Sequence, residues 1–107
     1  MIFEVVHGEV KISKRDRFKQ LHRDILLPIC ASLGINLELT MMSDVGRFGR
    51  FINVYSYNSY QDYEERSGRL ETELLNVGFY QQIEACLVGT IDIELMSGVK
   101  PSAEEVK

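Results

Sequence analysis

Apolar and polar residues alternate with a period of two in four separate segments of the chain, which is the spacing typical of β-strands. The alternation is clearest in the second segment and imperfect in the first, where both parities carry apolar residues. Gly46 and Gly49 lie between the second and third segments and predict a hairpin connection there. The predicted strands cover residues 2–12, 35–42, 51–57 and 90–95.

The segment between the first two predicted strands has the apolar spacing of an amphipathic helix. Ser13 is followed three residues later by Asp16, a capping-box-like pattern that predicts the start of the helix. Pro28 has no amide hydrogen, so we expect it to free the carbonyl of Asp24 and kink the helix. Gly34 then supplies the left-handed residue with which many helices end. The predicted apolar stripe consists of Phe18, Leu21, Ile25, Ile29 and Ser32.

A second helix is predicted to begin at Ser59, again with an acidic residue, Asp62, three positions later. Its apolar side chains recur at about 100° per residue as far as Leu74. Gly78 interrupts the pattern, and a short helical segment is predicted at residues 79–87. The last strand follows this segment.

The resulting order, strand–helix–strand–strand–helix–strand, predicts the α+β class: a ferredoxin-like βαββαβ sandwich with an antiparallel four-stranded sheet in the order 4-1-3-2. Right-handed crossovers place both helices on one face of the sheet. Because the strands carry apolar residues on both parities, we expect the other face to meet a second copy of the chain in a dimeric α/β barrel. This domain covers residues 1–97, and residues 98–107 are predicted to be a flexible C-terminal tail.

The composition, with 45% hydrophobic and 26% charged residues in a chain of 107, is that of a single globular domain. The formal net charge is −4 and the basic residues are interrupted by acidic ones, so no nucleic-acid partner is expected. No apolar run has the length of a signal peptide or membrane span, so no membrane partner is expected and the protein is expected in the cytoplasm. Cys30 and Cys86 lie in apolar helical patterns and are expected to be buried thiols.

Short motifs in the expected order and spacing resemble those of the NIPSNAP family, across residues 2–96. The resemblance implies a ferredoxin-like subunit and a homodimer whose two sheets form a barrel, and this family has no well-established common reaction. Asn53 and Tyr55 stand where the family tends to have histidine and tryptophan, and Tyr63 stands where an arginine is expected. The matching motifs are Ile2-Phe3-Glu4, Leu27-Pro28-Ile29, Val45-Gly46, the seven residues from Asn53 to Ser59, and Arg66.

His7 is the sequence's best candidate for acid–base chemistry, because imidazole titrates near neutral pH. In the expected sheet its strand neighbours the one that carries Asn53, Tyr55 and Tyr57. These groups are predicted to bind a small planar ligand between sheet and helices, and Arg66 to pair with a carboxylate or enolate of that ligand. Alternatively, His7 is a partly buried strand residue and the tyrosines form packing surface.

Three hypotheses about function follow. The first is a NIPSNAP-like homodimeric module of undefined activity that binds a small molecule or a partner. The second is a cofactor-independent monooxygenase or isomerase of the dimeric α/β-barrel type, with His7 as base. The third is a haem carrier or haem-degrading protein that uses His7 or His22. A metal site needs three or four converging ligands. The sequence shows no such set and no glycine-rich phosphate loop, so no metal and no cofactor is predicted.

Overall fold

A single antiparallel sheet with the strand order β2-β3-β1-β4 forms one layer of the protein. The structure, a computed structural model, describes residues 1–46 and 48–98. A 3₁₀ turn (Ile12–Lys14) precedes α1, and a π-helical turn (His22–Leu26) joins α1 to α2. The strands are β1 (Ile2–Glu9), β2 (Asn36–Met42), β3 (Arg50–Tyr57) and β4 (Asp92–Ser97), and the helices are α1 (Arg15–Leu21), α2 (Leu27–Ser32), α3 (Tyr60–Asn76) and α4 (Phe79–Glu84).

The register of the sheet decides which residues share a face. Val6 lies opposite Asn53 on β3 and opposite Ile93 on β4, whereas its neighbour Val5 lies opposite Val54. Side chains alternate between faces along a strand, so Val6, Asn53 and Ile93 point to the same side. The helices cover this side, which we call the helix-covered face, and the other side is the open face. The predicted α+β architecture and strand order are confirmed.

The start of α3 follows directly from its sequence. The Ser59 hydroxyl oxygen accepts a hydrogen bond from the amide of Asp62 at 3.1 Å, and the Asp62 carboxylate accepts one from the amide of Asn58 at 2.9 Å. This reciprocal pattern satisfies amide hydrogens that have no partner within the helix. Gly78 has a φ of 69° and turns the chain from α3 into α4. The predicted cap and break are therefore both found.

The first helical region differs from the prediction. The Ser13 side chain makes no capping bond, and residue 13 belongs to the 3₁₀ turn. Before Pro28 the backbone widens, because the amide of Leu27 donates to the carbonyl of His22, five residues earlier. The wider turn shifts the buried side of this helical region by one residue. Ile25, Ile29 and Ser32, which belong to the predicted apolar stripe, therefore do not lie at the centre of the buried side. The buried residues are Phe18, Leu21, His22, Leu26 and Cys30.

Cys30 and Cys86 are both buried and unpaired. Burial raises the pKa of the Cys30 thiol to about 11. Within the described part of the chain, no helix combines the length and apolar character that crossing a membrane requires. Apart from Gly98, whose amide donates to the carbonyl of Met1 at 3.1 Å, the predicted tail lies outside the described residues.

Candidate ligand-binding cavity

A cavity of about 520 Å³ lies between the helix-covered face of the sheet and helices α3 and α4. This volume is within the usual range for sites that hold a small organic molecule. Two residues of its wall are strongly exposed, Leu75 at 61% and Ile93 at 56%, so the mouth lies between α3 and β4. Most of the wall is apolar, with aromatic or aliphatic side chains that include Phe18, Leu26, Phe51, Leu74 and Phe79.

A hydrogen-bonded pair, His22 and Asn53, forms part of the polar end of the cavity. The carbonyl of Phe18 can only accept, so Nδ1 of His22 donates to it, at 3.1 Å. Burial lowers the pKa of His22, against the raising effect of its two hydrogen bonds, and the ring is therefore neutral at pH 7. Nε2 of the neutral ring is an acceptor, and Nδ2 of Asn53 donates to it at 2.8 Å.

This pairing fixes the orientation of the Asn53 amide. With Nδ2 directed at His22, the oxygen Oδ1 faces away from the ring, and no described residue donates a hydrogen bond to it. Asn53 as a whole is only 4% exposed. A buried carbonyl oxygen without a donor is uncommon in folded proteins and costs about 1–3 kcal/mol. Asn53 is thus a cavity-wall residue with unused hydrogen-bonding capacity.

Glu4 and two tyrosines, Tyr55 and Tyr63, are further polar residues of the wall. Glu4 is 9% exposed, and its Oε2 accepts a hydrogen bond from the hydroxyl of Tyr63 at 3.2 Å. Burial raises the pKa of the Glu4 carboxyl, and the bond from Tyr63 opposes this change. Burial also raises the pKa of Tyr55, which lines the cavity beside them and remains an uncharged phenol. Burial therefore favours the uncharged forms of Glu4 and Tyr55.

The structure brings together only some of the predicted site residues. Asn53 and Tyr55 line the cavity, as expected for ligand-binding groups. Tyr57 is buried away from the cavity wall, with its ring edge-on to Tyr63 at a centroid distance of 5.1 Å. Arg66 lies outside the wall and is already paired, since its Nε is 2.7 Å from a carboxylate oxygen of Asp62 and its Nη1 donates to the carbonyl of Gly34.

His7 lies on the open face, opposite to the expected position beside Asn53. Its register partner on β3 is Ile52, so the two side chains point away from the cavity. The ring instead lies between two carboxylates of β4, with Nε2 3.4 Å from Glu94 and Nδ1 4.0 Å from Asp92. The prediction that His7 lies beside the β3 tyrosines is therefore wrong, because His7 is on the other face of the sheet. The oxygenase or isomerase hypothesis requires His7 as the base, and His7 does not line this cavity.

Neither histidine is arranged as an axial ligand to haem iron inside the cavity. Both ring nitrogens of His22 take part in hydrogen bonds within the protein, and His7 is on the other side of the sheet. The residues do not fit haem as the third hypothesis requires. In the segments 1–46 and 48–98, no group of three or more histidine, cysteine, aspartate or glutamate side chains is placed to hold a metal ion.

The sequence pattern does not predict that Glu4 and the His22–Asn53 pair lie in one site. A usable signal was present in the strands: Glu4 shares its parity with Ile2 and Val6, and Asn53 interrupts an apolar segment. A polar residue at a core-facing strand position requires a partner. For His22 the sequence offered no equivalent signal, because the π-helical turn sets its direction.

No protein-family model matches the sequence, and no curated protein is significantly similar to it. A NIPSNAP family protein from Agrobacterium tumefaciens has a similar structure, with a TM-score of 0.80 at 20% identity, over 95% of this chain and 96% of that chain. For a NIPSNAP domain protein from Burkholderia xenovorans the TM-score is 0.77 at 18% identity, over 96% of both chains. A candidate antibiotic biosynthesis monooxygenase from Nitrosomonas europaea gives 0.71 at 15% identity, over 94% of this chain and 100% of that chain.

At these identities the likeness concerns the fold alone, which is shared along almost the whole chain. The resemblance to the NIPSNAP family seen in the sequence motifs is confirmed at this level. The chain has the ferredoxin-like α+β fold of the NIPSNAP family proteins.

Proposed function

We propose that this chain is a NIPSNAP-like homodimeric module that binds a small, largely apolar molecule in the cavity between sheet and helices. The observation that carries the proposal is the cavity itself, about 520 Å³ with an apolar wall and a small polar end. Ligand sites typically combine these two features, because apolar walls supply affinity and a few polar groups supply orientation. Asn53 and Glu4 are two of the buried polar residues in this wall.

The charges around the cavity favour a neutral ligand over the carboxylate-bearing one expected from the sequence. No lysine or arginine lines the wall among the described residues, and Arg66 is paired elsewhere. Glu4 and Glu71 are both wall residues, so an anion would meet carboxyl groups and lose its hydration without a counter-ion. The aromatic rings of Phe18, Phe51 and Phe79 suit a planar molecule.

The test is a titration with N-phenyl-1-naphthylamine, a neutral fluorescent probe, read as an increase in its emission. Val6 lines the cavity and its neighbour Val5 lies on the open face of the same strand, which gives a matched pair. We expect Val6→Phe to weaken probe binding about tenfold by filling the cavity, and Val5→Phe to change it by less than about twofold. Absence of saturable binding, or equal effects of the two substitutions, would refute the proposed function.

The homodimer belongs to the same proposal and is supported by the open face. Val5 and Val54 lie side by side at its centre, and Leu39 and Met41 on the adjoining strand are 40% and 52% exposed. An apolar sheet face of this kind is stabilised when a second copy covers it. The cytoplasmic location expected from the sequence is also part of the proposal, and fractionation of the source cells tests it.

A further inference from the structure

We infer that Glu4 is a catalytic base that removes a proton from the carbon beside the carbonyl group of a neutral ketone bound in the cavity, while Tyr55 donates a hydrogen bond to the ketone oxygen. The inference rests on the proposed small-molecule function and adds an activity to it. Its basis is the position of one carboxyl group beside one phenol in the wall of an apolar cavity.

The sheet places Glu4 and Tyr55 side by side. Glu4 on β1 is the register partner of Tyr55 on β3, and on its other side it lies opposite Leu95 on β4. Residues directly opposite each other on antiparallel strands point to the same face, with Cβ atoms about 4.5–5.5 Å apart. Both side chains line the cavity. A small ligand can therefore contact the carboxyl group and the phenol at the same time.

Each of the two side chains keeps one polar atom free for a ligand. The Tyr63 hydroxyl donates to Oε2 of Glu4 at 3.2 Å, and no described residue donates to the second oxygen, Oε1. The Tyr55 hydroxyl also has no hydrogen bond to a described residue. In the described part of the chain, the buried side-chain atoms without a partner belong to other residues, namely Arg15, Asn53 and Tyr57. Oε1 and the Tyr55 hydroxyl therefore retain accessible surface, and the space beside them is the cavity.

The surroundings of Glu4 favour proton transfer. Burial raises the pKa of its carboxyl group, against the opposing effect of the hydrogen bond from Tyr63. A carboxylate with a raised pKa is a stronger base than one in water, and it exchanges protons more effectively near neutral pH. No lysine or arginine of the described residues lines the wall, so the carboxylate has no counter-ion there that would lower its basicity.

The other titratable groups around the cavity are less suited to this role. His22 uses both ring nitrogens, Nδ1 towards the carbonyl of Phe18 and Nε2 towards Asn53. Glu71, the other carboxyl group of the wall, is at an exposed position of α3. Among the described residues, five further groups act electrostatically on Glu4, and burial raises the pKa of each: Cys30 in α2, Tyr55 and Tyr57 on β3, Tyr63 on α3 and Tyr80 on α4.

The proposed reaction is balanced within the ligand and Glu4 and uses no co-reactant. Oε1 of Glu4 takes the proton, and the electron pair of the broken C–H bond forms the carbon–carbon double bond of an enolate. The negative charge passes to the ketone oxygen, where the hydrogen bond from Tyr55 stabilises it. The proton then returns from Glu4 to the same carbon or, in a conjugated ligand, to a carbon further along, which isomerises the ligand.

The probe for this activity is 2-tetralone, a neutral bicyclic ketone with acidic protons between its carbonyl group and its aromatic ring. Proton NMR in deuterated buffer measures how fast deuterium replaces these protons, with the protein-free buffer as reference. We expect the wild type to accelerate the exchange of bound probe about a hundredfold, and Glu4→Gln to abolish the acceleration. Tyr55→Phe is expected to reduce it about tenfold. Glu73→Gln, at an exposed position of α3, is the control and should keep the wild-type rate.

The pH dependence of the exchange is a second measurement. After subtraction of the buffer rate, the exchange of bound probe should increase with pH through a midpoint above 4.5, the ordinary value for a glutamate. Glu4→Gln should lack this increase. Circular dichroism of each variant checks that it is folded.

The outcomes separate this activity from the proposed function. If N-phenyl-1-naphthylamine binds but 2-tetralone does not bind, or binds without accelerated exchange, the inference is overturned and the small-molecule function stands. Acceleration that persists in Glu4→Gln also overturns it, because another group is then the base. If neither compound binds, the proposed function itself fails.

Discussion

The side-chain amide of Asn53, in the middle of β3, lies 2.8 Å from Nε2 of His22 in the π-helical turn. Both residues are buried, at 4% and 7% exposure. The hydrogen bond therefore links the centre of the sheet to the irregular part of the first helical region. It requires that His22 stay neutral, because a doubly protonated ring has no acceptor to offer.

His22 is expected to make the protein less stable in mild acid. Burial lowers its pKa in the folded state, so below the unfolded value of 6.5 the unfolded chain binds the proton more readily. The contribution of His22 to stability is complete above pH 6.5 and is lost as the pH falls towards the lower folded-state pKa. We expect a loss of about 1 kcal/mol in the free energy of unfolding between pH 7.5 and 5.5.

Urea unfolding at the two pH values, followed by circular dichroism, measures this loss. His22→Gln is expected to be less stable than the wild type at pH 7.5 but to show a smaller drop on acidification. His7→Gln, at the open face, is the matched control and should retain the part of the drop that comes from His22. An unchanged drop in His22→Gln contradicts the prediction.

Replacing Glu4 with glutamine is expected to stabilise the protein at pH 7.5. Burial raises the pKa of Glu4, so its contribution to stability is present below the unfolded value of 4.5 and lost as the pH rises through the folded-state pKa. Glutamine avoids the buried charge and still accepts from Tyr63. We expect a gain of about 1 kcal/mol at pH 7.5 that disappears near pH 4.5.

The gain is measured by urea unfolding across this pH range. Glu73→Gln, at an exposed position of α3, changes the net charge by the same amount and serves as the control. A stabilisation of equal size in both variants would assign the effect to net charge and not to burial of Glu4.

Val54→Glu is expected to convert the proposed homodimer into a folded monomer. Val54 lies opposite Val5 at the centre of the open face, where two such carboxylates would be desolvated against each other in a sheet-to-sheet dimer. Sedimentation velocity at micromolar concentrations should give twice the chain mass for the wild type and the chain mass for the variant, with unchanged circular dichroism.

The control for this substitution is Ile12→Glu, because Ile12 is 72% exposed in the 3₁₀ turn and does not belong to the sheet. It should remain dimeric. A wild-type protein that sediments as a monomer throughout the micromolar range contradicts the homodimer.

Gly49→Ala is expected to destabilise the protein more than Gly46→Ala. Both glycines have positive φ, 90° and 93°, so alanine meets a similar backbone cost at each. At Gly49 a Cβ atom would also lie 2.5 Å from the carbonyl oxygen of Val10, whereas at Gly46 no atom of the described residues beyond its chain neighbours lies within 4 Å. We expect the difference in the free energy of unfolding to be about 2 kcal/mol, measured by urea unfolding. Equal losses would show that the connection can move away from Val10.

Much of the fold could be predicted from the sequence because its local signals agree. Ser59 and Asp62 set the start of α3, Gly78 sets its end, and the alternation in β2 and β3 defines a hairpin. The first helical region was predicted less well. Pro28 indicated an irregularity near Asp24, but whether the backbone kinks or widens into a π-helical turn depends on packing against the sheet.

The cavity was harder to predict, since a shift of one residue in register exchanges the two faces of a strand. Both parities of β1 are apolar, so the sequence did not decide whether Val5 or Val6 faces the helices. The position of His7 depends on that choice. Asn53 and Tyr55, which the sequence predicted as binding residues, line the cavity because they lie on the helix-covered parity of β3, whereas the positions of Glu4 and His22 required the three-dimensional arrangement.

The strand β4 is one of the two edge strands of the sheet, and its two sides contribute residues to the two faces. One side of it carries Ile93, at the mouth of the cavity, and the other carries Asp92 and Glu94, beside His7. If the proposed ligand binding and dimerisation both hold, a substitution that moves this strand is expected to alter the two together. For variants of β4, ligand uptake and subunit association therefore both need to be measured. Substitutions on α4 are expected to change ligand uptake alone.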